Sequence, residues 1–370
     1  MDSDSLRASD RAQTVIGLYG DPTVSWSILL EARLSTALDP AAVSERLRVA
    51  TERYPHLGAP PLIDSVAPAE LAAVRDRFAA APYDRGAPLI RVALREDEPL
   101  VLIAAHHGAL DGLGLLALLG IALDVPISSG ARGIGARAAD RSFLGSALRR
   151  LAEALFAPPS RIAPVGDTRN SPGDVFAAWH EPSLKLGTAT LVSAAVRASE
   201  HWNGGRGSDA SRIVAAVGAS CRSGATVEPE HDSAFFRLRL KPGATARDVT
   251  DVLAVRPPEP DFPARTSRIA KLGTRLLAGR LGSTFLVSNL GIVSAGGAVR
   301  SIAFYPAASG RSGVAFGAAT VGDTSTLTVR ARRRDFDAAA ADALVGELAH
   351  ALRGEGSGPR SGQPGDVAHQ

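Results

Sequence analysis

The chain has 370 residues, enough for two domains or for one large domain with a sizeable core. Hydrophobic residues make up 45% and charged residues 21%, which excludes a disordered chain, and a net charge of +3 is too small to argue for a nucleic-acid partner. The start of the sequence has no apolar signal core, and ionisable residues interrupt the longest apolar run. We therefore expect a cytoplasmic protein without stable membrane insertion.

The first half of the sequence predicts strands alternating with helices. Asp39 and Pro40 are suited to the N-cap and the first turn of a helix, and apolar residues recur after them at helical spacing. Turn residues bound the strand-like runs. The expected elements are two strands around a Gly-Asp-Pro turn within 13–34, helices from 39 and over 68–80, and strands in PLIRVALRED and PLVLIAAHH joined by a short acidic hairpin.

The second half predicts a similar alternation after a linker over 124–175, rich in Pro, Gly, Ser and Arg, that holds one helix at 143–156. The tail from Gly354 has nothing to bury and is expected to be disordered. We therefore expect an N-terminal lobe at 1–165, a C-terminal lobe at 166–353 and a tail at 354–370. The other expected elements are helices at 188–202, 264–277 and 337–352, strands in SRIVAAVGASC, AFFRLRL and STFLVSNLG, and a hairpin of SGVAFGAATVG and STLTVRARR across Asp323.

One segment, VLIAAHHGALDGLGLLALLG, combines ionisable and apolar residues: His106, His107, Asp111 and Gly112 interrupt an otherwise apolar run. Ionisable groups are costly to bury unless they are paired. The pattern predicts a buried strand over 100–105 that ends on the two histidines, then a turn, then a helix that begins near Gly112. A histidine held rigidly at a strand end is suited to act as a general base in a cleft.

Metal and cysteine chemistry are the alternatives to a general base. His106, His107 and Asp111 could ligate a metal ion, but adjacent strand residues point to opposite faces and no third histidine motif accompanies them, so we expect no metal site. Cys221 is the only cysteine, which excludes an intramolecular disulfide and a cysteine metal cage. We expect Cys221 to be buried and inert.

The heptapeptide HHGALDG, from His106 to Gly112, resembles the HHxxxDG signature of the chloramphenicol acetyltransferase-like superfamily. That superfamily includes peptide-synthetase condensation domains, plant BAHD acyltransferases, alcohol acetyltransferases and polyketide-associated Pap-type acyltransferases. Other segments also resemble it over residues 12–353, and FLVSNLGIV is similar to a strand of the Pap-type and alcohol acetyltransferase branch. The Asp-Phe-Gly-Trp-Gly motif of condensation domains and plant enzymes is absent, which argues against a peptide-bond-forming module. The remaining similar segments are LDPAAVSERLRVATERYPHLGA, PYDRGAPLIRVALRED and VAAVGASCRSG.

The resemblance implies an α/β fold of two chloramphenicol acetyltransferase-like lobes, with mixed, mostly antiparallel sheets, flanking helices and a site at the lobe interface. It also implies a monomeric acyltransferase that moves an acyl group from a thioester, on coenzyme A or on an acyl carrier protein, to a small-molecule alcohol or amine. The thioester is a co-substrate, and we expect no other cofactor. The Pap-type similarity favours a hydroxyl of a lipid, polyketide or other natural product as the acceptor.

The same resemblance assigns roles to seven residues. His107 is the general base, and His106 is a hydrogen-bonded neighbour. Asp111 forms an ion pair with Arg222, which could otherwise be a surface arginine at a strand end. The backbone N–H of Gly112, with the side chain of Ser288 or Asn289, is a candidate contact for the oxyanion or the acceptor, although Ser-Asn-Leu-Gly could instead mark only a turn.

Two other functions stay open. One is a stand-alone condensation enzyme that forms an amide or ester between carrier-bound substrates. The other is a non-catalytic member of the superfamily that binds a carrier or ligand, against which the intact motif argues.

Overall fold

A computed structural model describes residues 27–80, 88–95, 97–131, 133–134, 137, 143–165, 171–222, 224–259, 282–309 and 311–356. The strands are β1 (Ser27–Leu34), β2 (Ile63–Val66), β3 (Ile90–Arg95), β4 (Leu100–His106), β5 (Ser128–Ser129), β6 (Asp174–Pro182), β7 (Ile213–Ser220), β8 (Ser233–Leu240), β9 (Phe285–Ser294), β10 (Val299–Tyr305), β11 (Val314–Val321) and β12 (Thr324–Arg332). The helices are α1 (Pro40–Arg53), α2 (Leu71–Ala80), α3 (Gly112–Leu123), α4 (Phe143–Phe156), α5 (Thr188–Gly204), α6 (Ala246–Val255) and α7 (Ala338–Gly356), with short 3₁₀ turns at Pro55–Leu57 and Pro68–Glu70.

The first sheet has the order β10-β1-β4-β3-β2, with only the β2–β3 pair parallel. Apolar residues of α1 and α3 cover one face, and those of α2 cover the other. Because both faces are covered, β4 is buried along its whole length and its sequence is a continuous apolar run before His106.

The second sheet has the order β6-β12-β11-β9-β7-β8, with β5 paired to β9 at one end. Here β9 runs parallel to both β7 and β11, and the other pairs are antiparallel. Residues of α5, α6 and α7 pack on this sheet in a second core. The two layers of sheet and flanking helices confirm the expected α/β class with mixed, mostly antiparallel sheets.

One strand from the second half of the sequence, β10, belongs to the first sheet. Although β10 follows β9 in sequence, it pairs with β1 and forms the edge of the first sheet. Arg330 on β12 is fully buried, donates to the Ser27 carbonyl on β1 and pairs with Asp174 at an Nε–Oδ2 distance of 2.7 Å. The lobe limits at 165 and 353 remain a prediction. Residues 299–305, which fall within the expected C-terminal lobe, belong to the first sheet.

Most predicted elements in the described residues are confirmed. Asp39 caps α1 by accepting from the Ala41 N–H, and Val43, Leu47 and Ala50 are its buried face. The second helix begins as a 3₁₀ turn, and α5 and α7 run two and four residues further than expected, to Gly204 and Gly356. Residues 354–356 of the expected tail are therefore helical.

Some expectations lie outside the described residues: the strand before residue 27, the helix at 264–277 and the tail from 357 onward. The strands β2, β5, β6 and β10 and the helix α6 were not predicted. In the described part of the chain, none of the helices has the length and apolar character needed to cross a bilayer.

Candidate functional site

The two histidines at the end of β4 occupy different environments. His106 shares the strand face of Leu102 and Ala104 and is fully buried, and its Nδ1 accepts a 2.9 Å hydrogen bond from the Gly108 N–H. Burial, with the positive charge of neighbouring His107 and Arg91, lowers the pKa of His106 to about 3. His106 is therefore neutral near pH 7, and its visible role is to shape the turn.

His107 follows in the turn and lines a cavity. Its Nδ1 lies 3.0 Å from the Leu110 carbonyl oxygen. A carbonyl only accepts hydrogen bonds, so Nδ1 carries the proton and the lone pair of the neutral ring is on Nε2. This tautomer gives His107 a proton acceptor that the turn does not use.

Asp111 is the N-cap of α3 and joins three parts of the chain. Its Oδ1 accepts from the Gly114 N–H at 2.7 Å and from Arg222 Nη1 at 3.1 Å, and its Oδ2 accepts from the Asp232 N–H at 2.9 Å. Both side chains of the Asp111–Arg222 pair are largely buried, at 4% and 10% exposure. The ion pair implied by the resemblance is present, and its contacts are those of a structural clamp.

Arg222 holds the segment 224–232 against α3. Its Nη2 donates to the carbonyl oxygens of Glu228 and Glu230 at 3.2 and 2.9 Å. Glu230 lies so close to α3 that a Cβ on Gly114 would be 2.2 Å from the Glu230 carbonyl oxygen. The second glycine after Asp111 is therefore required by this contact between the lobes.

Gly112 is the first residue of α3, where a backbone N–H has no acceptor within the helix. It lines the cavity, and a Cβ there would lie 2.8 Å from Leu290 Cδ2 and 2.9 Å from Phe304 Cζ. The N–H of Gly112 is thus a backbone donor at the start of a helix, beside His107 on the cavity wall.

Ser288 and Asn289 both line the cavity but differ in their contacts. Asn289 donates from Nδ2 to the Leu186 carbonyl and accepts from the Gly291 N–H on Oδ1, each at 2.9 Å. Both the Nδ2 and the Oδ1 atom of Asn289 are therefore hydrogen-bonded to backbone groups. Ser288, on β9, faces Gly218 on β7, and its hydroxyl is the better placed of the two for a bound molecule.

The cavity, of about 220 Å³, lies between the two sheets. Its wall is mostly apolar or small, while one part holds the charged pair Arg150–Glu259, at 3.0 Å, and Arg237, which pairs with buried Glu153. Burial lowers the pKa of Arg237, and the charge of Arg150 lowers the pKa of Glu259 against the effect of its own burial. Residues from both lobes line it, among them Ile28, His107, Gly112, Gly218, Phe235, Ser288 and Phe304.

His231 is a residue of this site that the sequence reading missed. It lies in the segment 224–232, lines the cavity, and places its ring centroid 5.3 Å from that of His107. A single histidine in the polar run EPEHDS gives no periodic or motif signal.

Cysteine and metal chemistry find no support in the described ranges. Cys221 is half-buried, so the expectation that it is buried was wrong, and it does not line the cavity. Within those ranges, no cluster of three His, Cys, Asp or Glu side chains has the geometry of a metal site. The expectation of no metal stays an expectation.

By sequence, the chain matches no protein-family model and no curated protein. By structure, it is similar to the first condensation domain of the calcium-dependent antibiotic synthetase in complex with a substrate analogue, with a TM-score of 0.61, 16% identity and coverage of 93% of this chain and 94% of that one. It is also similar to a variant of the starter condensation domain of rhizomide synthetase in complex with C8-CoA and Leu-SNAC. That comparison has a TM-score of 0.58 and 14% identity, and it covers 93% of this chain and 91% of that one.

A third structure, described as the molecular basis for condensation domain-mediated chain release from the enacyloxin polyketide synthase, gives a TM-score of 0.53, 14% identity and coverage of 97% of this chain and 84% of that one. These likenesses show that the chain has the condensation-domain fold, as the HHxxxDG resemblance implied.

Proposed function

We propose that this protein is an acyltransferase that moves an acyl group from a thioester to a hydroxyl or amine, with His107 as the general base. The main support is the hydrogen bond from His107 Nδ1 to the Leu110 carbonyl. Because His107 lines the cavity, its Nε2 then has the lone pair that a general base needs. The condensation-domain fold supports the same reading.

The reaction follows from these groups. His107 Nε2 takes the proton of the acceptor as its oxygen or nitrogen attacks the thioester carbonyl carbon. The carbonyl oxygen gains negative charge, which the Gly112 N–H and the Ser288 hydroxyl are candidates to stabilise. The carbon–sulfur bond then breaks, and the His107 imidazolium can return its proton to the departing thiolate. One thioester and one alcohol thus give one ester and one thiol, with no acyl-enzyme.

The donor is either free acyl-coenzyme A or a carrier-bound thioester. The structurally similar starter domain is a complex with C8-CoA, which supports testing acyl-coenzyme A first. The similar chain-release condensation domain of a polyketide synthase favours a second candidate, in which this protein condenses carrier-bound substrates. We propose a natural-product hydroxyl as the acceptor, because the segment FLVSNLGIV resembles a strand of the Pap-type and alcohol acetyltransferase branch.

The test is thiol release from a panel of acyl-coenzyme A thioesters of increasing chain length, and from the same acyl groups on a phosphopantetheinylated carrier. A thiol-reactive dye follows the reaction over a background of one cysteine per chain. We expect release by wild type and by His350→Ala, an exposed-histidine control on α7, and release at least about 100-fold slower by His107→Ala. Release only from carrier-bound donors would favour the condensation candidate, and release unaffected by His107→Ala would contradict both.

A further inference from the structure

His231 lies in the cavity in a position fixed by the same ion pair that fixes the histidine motif. The residue before it, Glu230, binds Arg222 through its carbonyl, and the residue after it, Asp232, binds Asp111 through its N–H, both at 2.9 Å. The clamp therefore holds the backbone on both sides of His231. Asp111 of the same ion pair also caps α3, the helix that follows His107.

The two imidazoles form a pair across the cavity, from opposite lobes. Their ring centroids are 5.3 Å apart, with planes tilted by 53°, and both side chains line the wall. At this separation, a positive charge on one ring disfavours a positive charge on the other.

We propose that His231 is a second catalytic residue, which, in place of the His107 imidazolium, delivers the proton that the departing thiolate takes up. His107 Nε2 removes the proton from the acceptor, and protonated His231 gives its proton to the thiolate sulfur as the carbon–sulfur bond breaks. The proton that His107 gained then passes to His231, directly or through water, and restores the starting state. Atoms and charge balance without another reactant, and this inference rests on the proposed function.

Charged groups from several elements surround this end of the cavity and set the field that both rings experience. Arg150, Arg237 and Glu259 line the same cavity, and Asp111, which also lines it, pairs with Arg222. The full set is His106 at the end of β4, His107 in the turn that follows, Arg91 on β3, Asp111 at the N-cap of α3, Arg222 after β7, Glu228, Glu230 and Asp232 beside His231, Tyr54 and His56 after α1, and Arg150, Arg237 and Glu259 along the wall.

The test compares His231→Gln with wild type and with His350→Gln, after circular dichroism and thermal unfolding show that all three are folded. For wild type, kcat/KM for thiol release rises with pH as His107 loses its proton and falls as His231 loses its own. We expect His231→Gln to lower kcat/KM about 10- to 100-fold and to remove the fall at high pH. The proposal would be overturned if His231→Gln had the kcat/KM of wild type. It would also be overturned if kcat/KM of His231→Gln still fell at high pH.

A second measurement does not depend on turnover. NMR spectra of the histidine C–H signals, recorded over the pH range of the assay, show whether the His107 ring senses the charge on His231. We expect the His107 signals to respond to ionisation of His231 in wild type, because the ring centroids are 5.3 Å apart, and this response to be absent in His231→Gln. If wild type released no thiol from any donor, the proposed function would fail. His107 signals that behave alike in the two proteins would overturn the proposal about His231 whether or not wild type turns over.

Discussion

Arg222 Nη1 lies 3.1 Å from Asp111 Oδ1, although the two residues are 111 positions apart in the chain. Asp111 caps α3 behind the histidine turn, whereas Arg222 follows a strand of the second sheet. This contact therefore joins the two lobes directly beside the cavity. It also positions the segment that carries His231, so one ion pair holds the backbone beside both histidines.

Removing one partner of this pair should be costly, because the other charge stays buried. We expect Arg222→Ala and Asp111→Ala each to lower the free energy of unfolding by about 3–5 kcal/mol. The free energy of unfolding of the double variant should fall by clearly less than the sum of the two single losses, because the two residues share one interaction. Denaturant unfolding of the four proteins gives the coupling, and strict additivity would show that the pair does not act as a unit.

The contact between α3 and the 224–232 segment predicts a specific glycine requirement. Gly114→Ala places a Cβ 2.2 Å from the Glu230 carbonyl oxygen, and neither backbone can yield easily. We expect it to lower the free energy of unfolding by about 1–3 kcal/mol and to reduce thiol release. The matched control is Gly346→Ala on α7, where an added Cβ meets nothing within 4 Å and should stabilise by up to about 1 kcal/mol. Equal effects of the two changes on unfolding would contradict the account.

The buried neutral His106 predicts a pH dependence of stability. Its pKa falls from 6.5 to about 3 on folding, so below pH 6.5 the unfolded chain takes up a proton that the folded protein does not. This group's contribution is fully present above pH 6.5 and decreases as the pH falls toward 3, by up to about 1.4 kcal/mol per pH unit. His106→Gln should be less sensitive to acid than wild type in denaturant unfolding between pH 6.5 and 4. Parallel curves for the two proteins would show that His106 is not the group responsible.

The small residues on the cavity wall predict control of substrate size. A Cβ on Gly218 lies 3.6 Å from Ser288 Oγ, which is an ordinary contact, so Gly218→Ala should fold and add one methyl group at the cavity wall. We expect kcat/KM to fall at least about 10-fold for long acyl thioesters and less for acetyl, with an unchanged unfolding midpoint. A uniform loss over all chain lengths would place Gly218 away from the acyl group.

The histidine turn could be predicted from sequence because its signals are local. The apolar strand, the turn and the Asp-capped helix lie within about two dozen residues, and the resemblance then supplied Arg222 as the partner of Asp111. The place of β10 in the first sheet could not be predicted, since the pairing of β10 with β1 joins residues more than 250 positions apart, such as Phe304 and Leu30. His231 was missed for the same reason: only the folded chain brings the 224–232 segment to the cavity.

The role of His107 as the general base is tested most directly by kcat/KM for thioester-dependent acyl transfer, measured for wild type and His107→Ala with the best donor of the panel. A general base contributes about 100- to 10,000-fold to the rate. We therefore expect kcat/KM to fall at least about 100-fold in His107→Ala, with an unchanged circular dichroism spectrum, and to stay at the wild-type value in His350→Ala. A His107→Ala protein that keeps wild-type kcat/KM would contradict the assignment of His107 as the base.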